Sequence, residues 1–294
     1  MEFAEKKKKL SEMMDHFAEQ GICLAFSGGV DSSLLLKMAC SSGEKLGKCV
    51  YAVTFATRLH PSCDMENAGK VAAELGGVHV VLQIDELEQE EIRKNPPDRC
   101  YLCKKRLFSE LKSFAEEKRA GVCLDGTNSD DLAEYRPGLR ALRELSVVSP
   151  LAECGFSKEE VRRLAAEYGI SSAGRPSAPC MATRLPYGAE IDYDLLDNIA
   201  AGEELLREYV RGNVRLRLHG DIVRLEIDQE QFATFLEKRE MIVKALKNLG
   251  FCYVTLDMEG FRSGSMDIHV REAGRLNLPD SMGHEKGIDK TMHV

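Results

Sequence analysis

Three stretches of the 294-residue chain hold residues whose types and spacing can do chemistry: FSGGVDSS at Phe26 to Ser33, RCYLCKK with Cys100 and Cys103, and SAPCMATR with Cys180. The first lies between an apolar run, ICLAF, and a helical pattern. Gripping a polyphosphate after a strand requires backbone amides to turn inward, and Gly28 and Gly29 supply that freedom. A helix beginning near Ser32 aims its positive end at the same place, and Ser27, Ser32 and Ser33 add hydroxyl donors. Asp31 is out of place beside an anion until Mg2+ is included, because a carboxylate helps hold a metal that the phosphates share. The stretch is neither GxxxxGK[ST] nor GxGxxG, and a capped turn is its bland alternative.

The chain has ten cysteines and begins without the apolar core and cleavage site of a secretion signal, so the expectation is reduced thiols in a cytoplasmic protein. Cys23, Cys40, Cys49, Cys123 and Cys252 sit among apolar neighbours and are expected to be small buried hydrophobes. Cys63 and Cys154 carry no neighbouring ligand pattern. A CxxC such as Cys100 and Cys103 has several readings: zinc, a redox pair, an iron-sulfur ligand pair, or chance. No second CxxC or close histidine pair completes a structural zinc site, and no thioredoxin-like context is evident. Together with Cys180 the pair makes three thiolates, which would leave one iron of a 4Fe-4S cluster open to an exogenous ligand such as sulfide.

The elements that must position these residues read as α/β. Strand-like runs ICLAF, CVYAVTF, VHVVLQI and GVCLDG alternate with helical patterns, which predicts a parallel sheet covered on both faces. Ligands of such sheets gather at the carboxyl ends of the strands, where FSGGVDSS and DGTNSDD both fall. Ser157 signals the cap of a helix reaching Tyr168. The Gly-, Pro- and Ser-rich stretch GISSAGRPSAPCMATRLPYGAEID then reads as a linker or functional segment. Beyond it Leu195, Ile199, Leu206 and Val210 share a helical face, VRLRLHGDIVRLEI reads as a hairpin turning at His219 to Asp221, and a helix over Gln229 to Leu249 precedes the strand CYVTLDM. The length favours two domains, placed at 1–185 and 186–294.

With 40 Lys+Arg against 48 Asp+Glu the net charge is −8, which argues against a nucleic-acid partner, and no run approaches the length of a membrane span.

The full SGGxDSS after a strand resembles the PP-loop of the ATP pyrophosphatases. That resemblance implies cleavage of ATP between the α and β phosphates and transfer of AMP to a substrate oxygen. The blocks GTNSDDLAEYRPGLRALRELSVVSPLAE, RPSAPCMATRLPYG, RLRLHGDIVRLEI and YVTLDMEGFRSGS look like successive blocks of the LarE family, and with the loop they cover most of the chain. The resemblance implies a PP-loop domain followed by a smaller α/β domain for substrate binding, and assembly as a homo-oligomer, a hexamer in the single-cysteine type. It implies a small-molecule substrate, pyridinium-3,5-biscarboxylic acid mononucleotide, whose carboxylate becomes a thiocarboxylate on the way to the nickel-pincer nucleotide of lactate racemase.

Single-cysteine members donate the sulfur of the cysteine matching Cys180. Members that also carry a CxxC resemble iron-sulfur thiolases, so Cys100, Cys103 and Cys180 are expected to hold a 4Fe-4S cluster supplied by a sulfide donor. Arg215 and Arg217, two apart on a strand, match an arginine pair used for the substrate phosphate. Arg184, Asp130 and Asp131 are further candidates for nucleotide, metal or substrate contacts, and Glu226 matches a carboxylate linked to metal binding between subunits. A cluster-dependent tRNA thiolase, an ammonia-using synthetase and a nonenzymatic ATP-binding protein are the competing readings.

Overall fold

The structure is a computed structural model that describes residues 2–59, 62–133, 137–170 and 179–268. Strands β1 (Ile22–Ala25), β2 (Val50–Ala56), β3 (Val78–Gln83) and β4 (Val122–Leu124) form a parallel sheet in the order β3-β2-β1-β4. Helices α1 (Phe3–Gln20), α2 (Val30–Leu46), α3 (Ser62–Leu75), α4 (Glu90–Arg93) and α5 (Arg99–Glu117) alternate with these strands. After β4 come α6 (Ser129–Ala133), α7 (Gly138–Glu144), α8 (Pro150–Glu153) and α9 (Lys158–Glu167). Helix α10 (Tyr193–Arg207) leads into a second sheet of β5 (Val214–His219), β6 (Ile222–Ile227) and β7 (Tyr253–Leu256), in the order β5-β6-β7. Helices α11 (Phe232–Glu237) and α12 (Arg239–Asn248) connect β6 to β7.

β1 shows why the first sheet is parallel. Ile22, Cys23 and Leu24 are all buried, as expected of a strand covered on both faces. Ile22 and Leu24 pack with Leu10 and Met14 of α1, Leu34 of α2 and Leu164 of α9. Cys23 points the other way, to Leu107, Phe108 and Leu111 of α5. Helix α1 fits its side because Leu10, Met14 and Ala18 recur every four residues and are all buried. Helix α9 begins where a capping box forms: Ser157 accepts from the Glu160 amide, and the Glu160 side chain accepts from the Ser157 amide.

The second core is not confined to the second sheet. Leu216, Leu225, Ile199, Leu206 and Leu246 are joined by Met181 and Leu185, and also by Leu59, Leu87 and Ile92 from the first half of the chain. The connection between β3 and α5 therefore leaves its own sheet to seal the neighbouring one, and Cys103 of α5 packs against both cores. The β5-β6 hairpin turns at Gly220, whose φ of 59° is a left-handed value that favours glycine, and its register sets Arg215 opposite Glu226 and Arg217 opposite Arg224.

Two expectations from the sequence are corrected. Cys49 and Cys252 are exposed rather than buried, because Cys49 lies in the turn between α2 and β2, and Cys252 precedes β7, the edge strand of its sheet. The helix expected over Gln229 to Leu249 is interrupted: a short 3-10 turn at Gln229–Gln231 precedes α11, and Lys238 separates α11 from α12. Residues 171–178 of the Gly- and Pro-rich stretch and 134–136 of the block after DGTNSDD lie outside the described residues. No described helix is long and apolar enough to cross a membrane.

Candidate active site

The loop after β1 is built around one residue that tolerates no side chain. Gly28 has φ +70°, and a Cβ there would lie 2.9 Å from the Ala68 Cα, a backbone atom of α3. Beyond it the loop closes on itself. The Ser32 hydroxyl donates to the Gly29 carbonyl (3.2 Å) and accepts from the Ser27 amide (3.3 Å), and the Ser33 amide donates to the Gly29 carbonyl (2.9 Å). Ser27 is exposed, Ser32 is buried, and Ser33 is fully buried with an Oγ that has no hydrogen-bond partner. Helix α2 starts at Val30, with Gly29 as its cap, so its unpaired amides face the loop as the sequence pattern implies.

Asp31 is where three segments meet. It accepts from Asn128 Nδ2 (3.0 Å) and forms an ion pair with Lys158 at the start of α9. Gly126 permits the approach, since a Cβ there would sit 3.2 Å from the Ser32 nitrogen. Asp130 accepts from the Lys158 amide (2.8 Å), and Asp131 accepts from the Asn128 amide (3.0 Å). Both acids thus fasten the DGTN turn beside the loop. Asn128 and Lys158 carry this geometry and were not singled out from the sequence; the signal for Lys158 was its place just after the Ser157 cap.

The cysteines gather at a second centre. Cys103 and Cys180 are half-buried and both pack on the second core, while Cys100 is exposed. The Cys103 thiol is pushed up by burial, by Glu86, and then by Cys180 and Cys100, so the three sulfurs lie within electrostatic reach of one another. Burial likewise pushes Cys180 up, opposed by the Arg99 guanidinium. Arg99, only 3% exposed, donates to Asn95 Oδ1, to the Ala182 carbonyl (3.3 Å) and to Cys100 Sγ (3.7 Å). Glu86 is fully buried, and burial pushes its pKa up to about 7, opposed by its own backbone and Thr57.

Whether these residues suit an iron-sulfur group divides into two observations. The donor chemistry suits it, because three thiols lie within electrostatic reach of one another and of the buried Arg99 guanidinium, which can offset an anionic group. Among the described residues, however, no three Cys, His, Asp or Glu side chains converge where a metal ion could sit.

The arginines lie beside the Cys180 turn. Arg184, 2% exposed, forms a two-point pair with Glu203 of α10 (Nε–Oε1 2.9 Å, Nη2–Oε2 2.8 Å), and its Nη1 donates to the carbonyls of Pro179 and Cys180. Arg217, 5% exposed, bonds Glu226 (3.1 Å) and the Thr183 carbonyl (2.9 Å), while Arg224 lies 3.3 Å from the other Glu226 oxygen. The structure therefore sets Arg184, Arg217 and Glu226 in internal ion pairs. Arg215 is only half-buried, pairs with no carboxylate among the described residues, and lies 5.4 Å from the Phe261 ring centre. Burial lowers its pKa, as do Arg184 and Arg217 nearby. Glu203, which ties the Cys180 turn to the Leu216 amide of β5 (3.1 Å), had no sequence signal.

A PP-loop domain family matches residues 3–136. An uncharacterised protein of Synechocystis is 35% identical over 89% of this chain and 97% of its own length. A tRNA-specific 2-thiouridylase of Rickettsia bellii is 28% identical over only 53% of this chain and 52% of its own. The pyridinium-3,5-bisthiocarboxylic acid mononucleotide synthase of Lactiplantibacillus plantarum is 37% identical over 86% of this chain and 91% of its own, and on that likeness this chain belongs to the LarE family of PP-loop proteins.

Proposed function

We propose that this chain, an ATP-dependent sulfurtransferase of nickel-pincer nucleotide biosynthesis, adenylates a carboxylate of pyridinium-3,5-biscarboxylic acid mononucleotide and replaces the AMP with sulfur delivered at Cys100, Cys103 and Cys180. The observation that carries the reading is the meeting of the Cys180 turn with the CxxC helix around Arg99 in a chain that also builds a PP-loop. Residues 1–185 take the ATP chemistry and 186–294 the substrate contacts and self-assembly.

Attack of the substrate carboxylate on the α phosphorus breaks the α–β bond and releases pyrophosphate. The Gly28–Gly29 turn and the start of α2 receive that anion, with Ser27 as an exposed donor. Asp31 is the residue that would hold Mg2+, which would offset phosphate charge, and Lys158, its present ion-pair partner, lies beside the same loop to face the phosphates. Adenylation converts a carboxylate oxygen into a leaving group. A sulfur nucleophile at the cysteine pocket then attacks the acyl carbon, forming the C–S bond as AMP departs. Arg215 is the arginine with capacity to spare for the substrate phosphate, while Arg184 and Arg217 hold the Cys180 turn in place.

Cys100, Cys103 and Cys180 are the residues that would hold a 4Fe-4S cluster, and the chemistry it would supply there is a renewable sulfide. The test is anaerobic purification with iron and sulfide analysis, followed by intact-mass measurement after turnover. Iron with an unchanged protein mass supports the cluster route. Loss of one hydrogen sulfide from Cys180 without iron would show sacrificial transfer, and steady AMP release only with tRNA would show a tRNA thiolase.

A further inference from the structure

We propose that Arg99 is the positioning residue that gathers the CxxC helix and the Cys180 turn into one sulfur-handling site. This rests on the sulfur-transfer reading above. The starting point is a mismatch of charge. A guanidinium taken out of water is costly unless an anion and full hydrogen bonding offset the loss. Two other buried arginines in this chain obey that rule: Arg184 has Glu203, and Arg217 has Glu226. Arg99 is as buried as they are, yet among the described residues no aspartate or glutamate pairs with it. Its partners are instead the Asn95 side-chain oxygen, the Ala182 carbonyl and Cys100 Sγ.

The bonds of Arg99 also join the segments that carry the cysteines. One nitrogen reaches the Ala182 carbonyl, two residues after Cys180, and the other reaches Cys100 Sγ at the start of α5. Asn95 extends the brace. It is fully buried at a left-handed φ of 49°, accepts from Arg99 on its side chain, donates to the Pro186 carbonyl (2.8 Å), and accepts the Gly188 amide (2.8 Å) on its backbone. The Ile191 amide completes it on the Arg93 carbonyl (2.8 Å). Residues 93–100 and 182–191 are thus laced together, and Arg99 is the member of that lacing which touches sulfur. The planar fork of arginine reaches several acceptors at once, which a lysine ammonium on a single stem does not reproduce.

The experiment uses the reduced, metal-free full-length protein and dibromobimane, which bridges two neighbouring thiols, with the bridged peptides identified by mass spectrometry. In the wild type, Cys180 is expected to bridge to Cys100 or Cys103. Arg99→Met should slow that bridging at least tenfold, and Arg99→Lys should fall between the two. Circular dichroism and the buried Cys23 and Cys123 pair, which face each other in β1 and β4, report whether the fold is kept. Wild-type bridging rates in a folded Arg99→Met protein would overturn the proposal. If that variant does not fold, wild-type bridging in Arg99→Lys would do the same. Normal bridging in the wild type without sulfur transfer would instead sink the functional reading and leave the role of Arg99 standing.

Discussion

Replacing Glu86 by glutamine should change how stability depends on pH, and the size of the effect follows from the structure. Glu86 opens the 3-10 turn Glu86–Glu88 and is 0% exposed. Burial raises its pKa from an ordinary 4.5 to about 7, with Asp85 adding a smaller push upward and the Glu86 backbone and Thr57 opposing. The folded state therefore keeps a proton that the unfolded chain has already released between these values. Stability is highest below the unfolded value and falls as pH rises toward and through the folded one, by about 1.4 kcal/mol per unit, or about 3 kcal/mol across the window. A glutamine does not titrate and escapes this loss. Urea unfolding of wild type and Glu86→Gln at about pH 5 and about pH 8 measures it. The stability difference between the two proteins should shift by about 3 kcal/mol in favour of the variant at the higher pH. A difference that stays constant with pH would refute the reasoning, because it would mean that Glu86 is solvated or paired in the folded protein.

Lys158→Met removes the cation that faces Asp31 across the PP-loop, and should lower the rate of substrate-dependent AMP release by about 10²-fold or more, as loss of a charge-stabilising group does. Wild-type AMP release would show that Lys158 serves only to neutralise Asp31. Glu203→Ala leaves the Arg184 guanidinium and the Leu216 amide buried without their acceptor, and should cost about 3–5 kcal/mol in urea unfolding, with Glu203→Gln losing less because it keeps an acceptor.

The sheet around the PP-loop is legible in the sequence because its strands are continuous apolar runs between helices of clear period. Gly28 is legible for a local reason: the turn needs a positive φ and a bare Cα. The residues that organise the cysteines are a different matter. Arg99 adjoins the CxxC, but nothing along the chain says that it lies under the Cys180 turn, since that contact joins segments far apart in sequence. Glu86 sits in the acid-rich run DELEQEE, whose composition belongs to a solvated surface, and only the second core closing over Leu87 and Ile92 buries it. Arg184 and Arg217 show the converse. Their chemistry suits an anion site, but Glu203 and Glu226 occupy them, and no spacing rule pairs a strand arginine with a carboxylate on a distant helix. Cys49 and Cys252 are exposed although Val50 and Phe251 beside them in sequence are buried.

The way the second core borrows Leu59, Leu87 and Ile92 has a consequence for the order of synthesis. These residues, with Cys100 and Cys103 close behind, emerge from the ribosome well before the Cys180 turn and the strands that cover them. The first sheet can close on its own helices, but this flank stays apolar and open until the last third of the chain arrives. The Cys103 thiol is therefore most accessible while the protein is still being made. The finished fold, drawn over it by the lacing between residues 93–100 and 182–191, encloses a site that was assembled in two instalments.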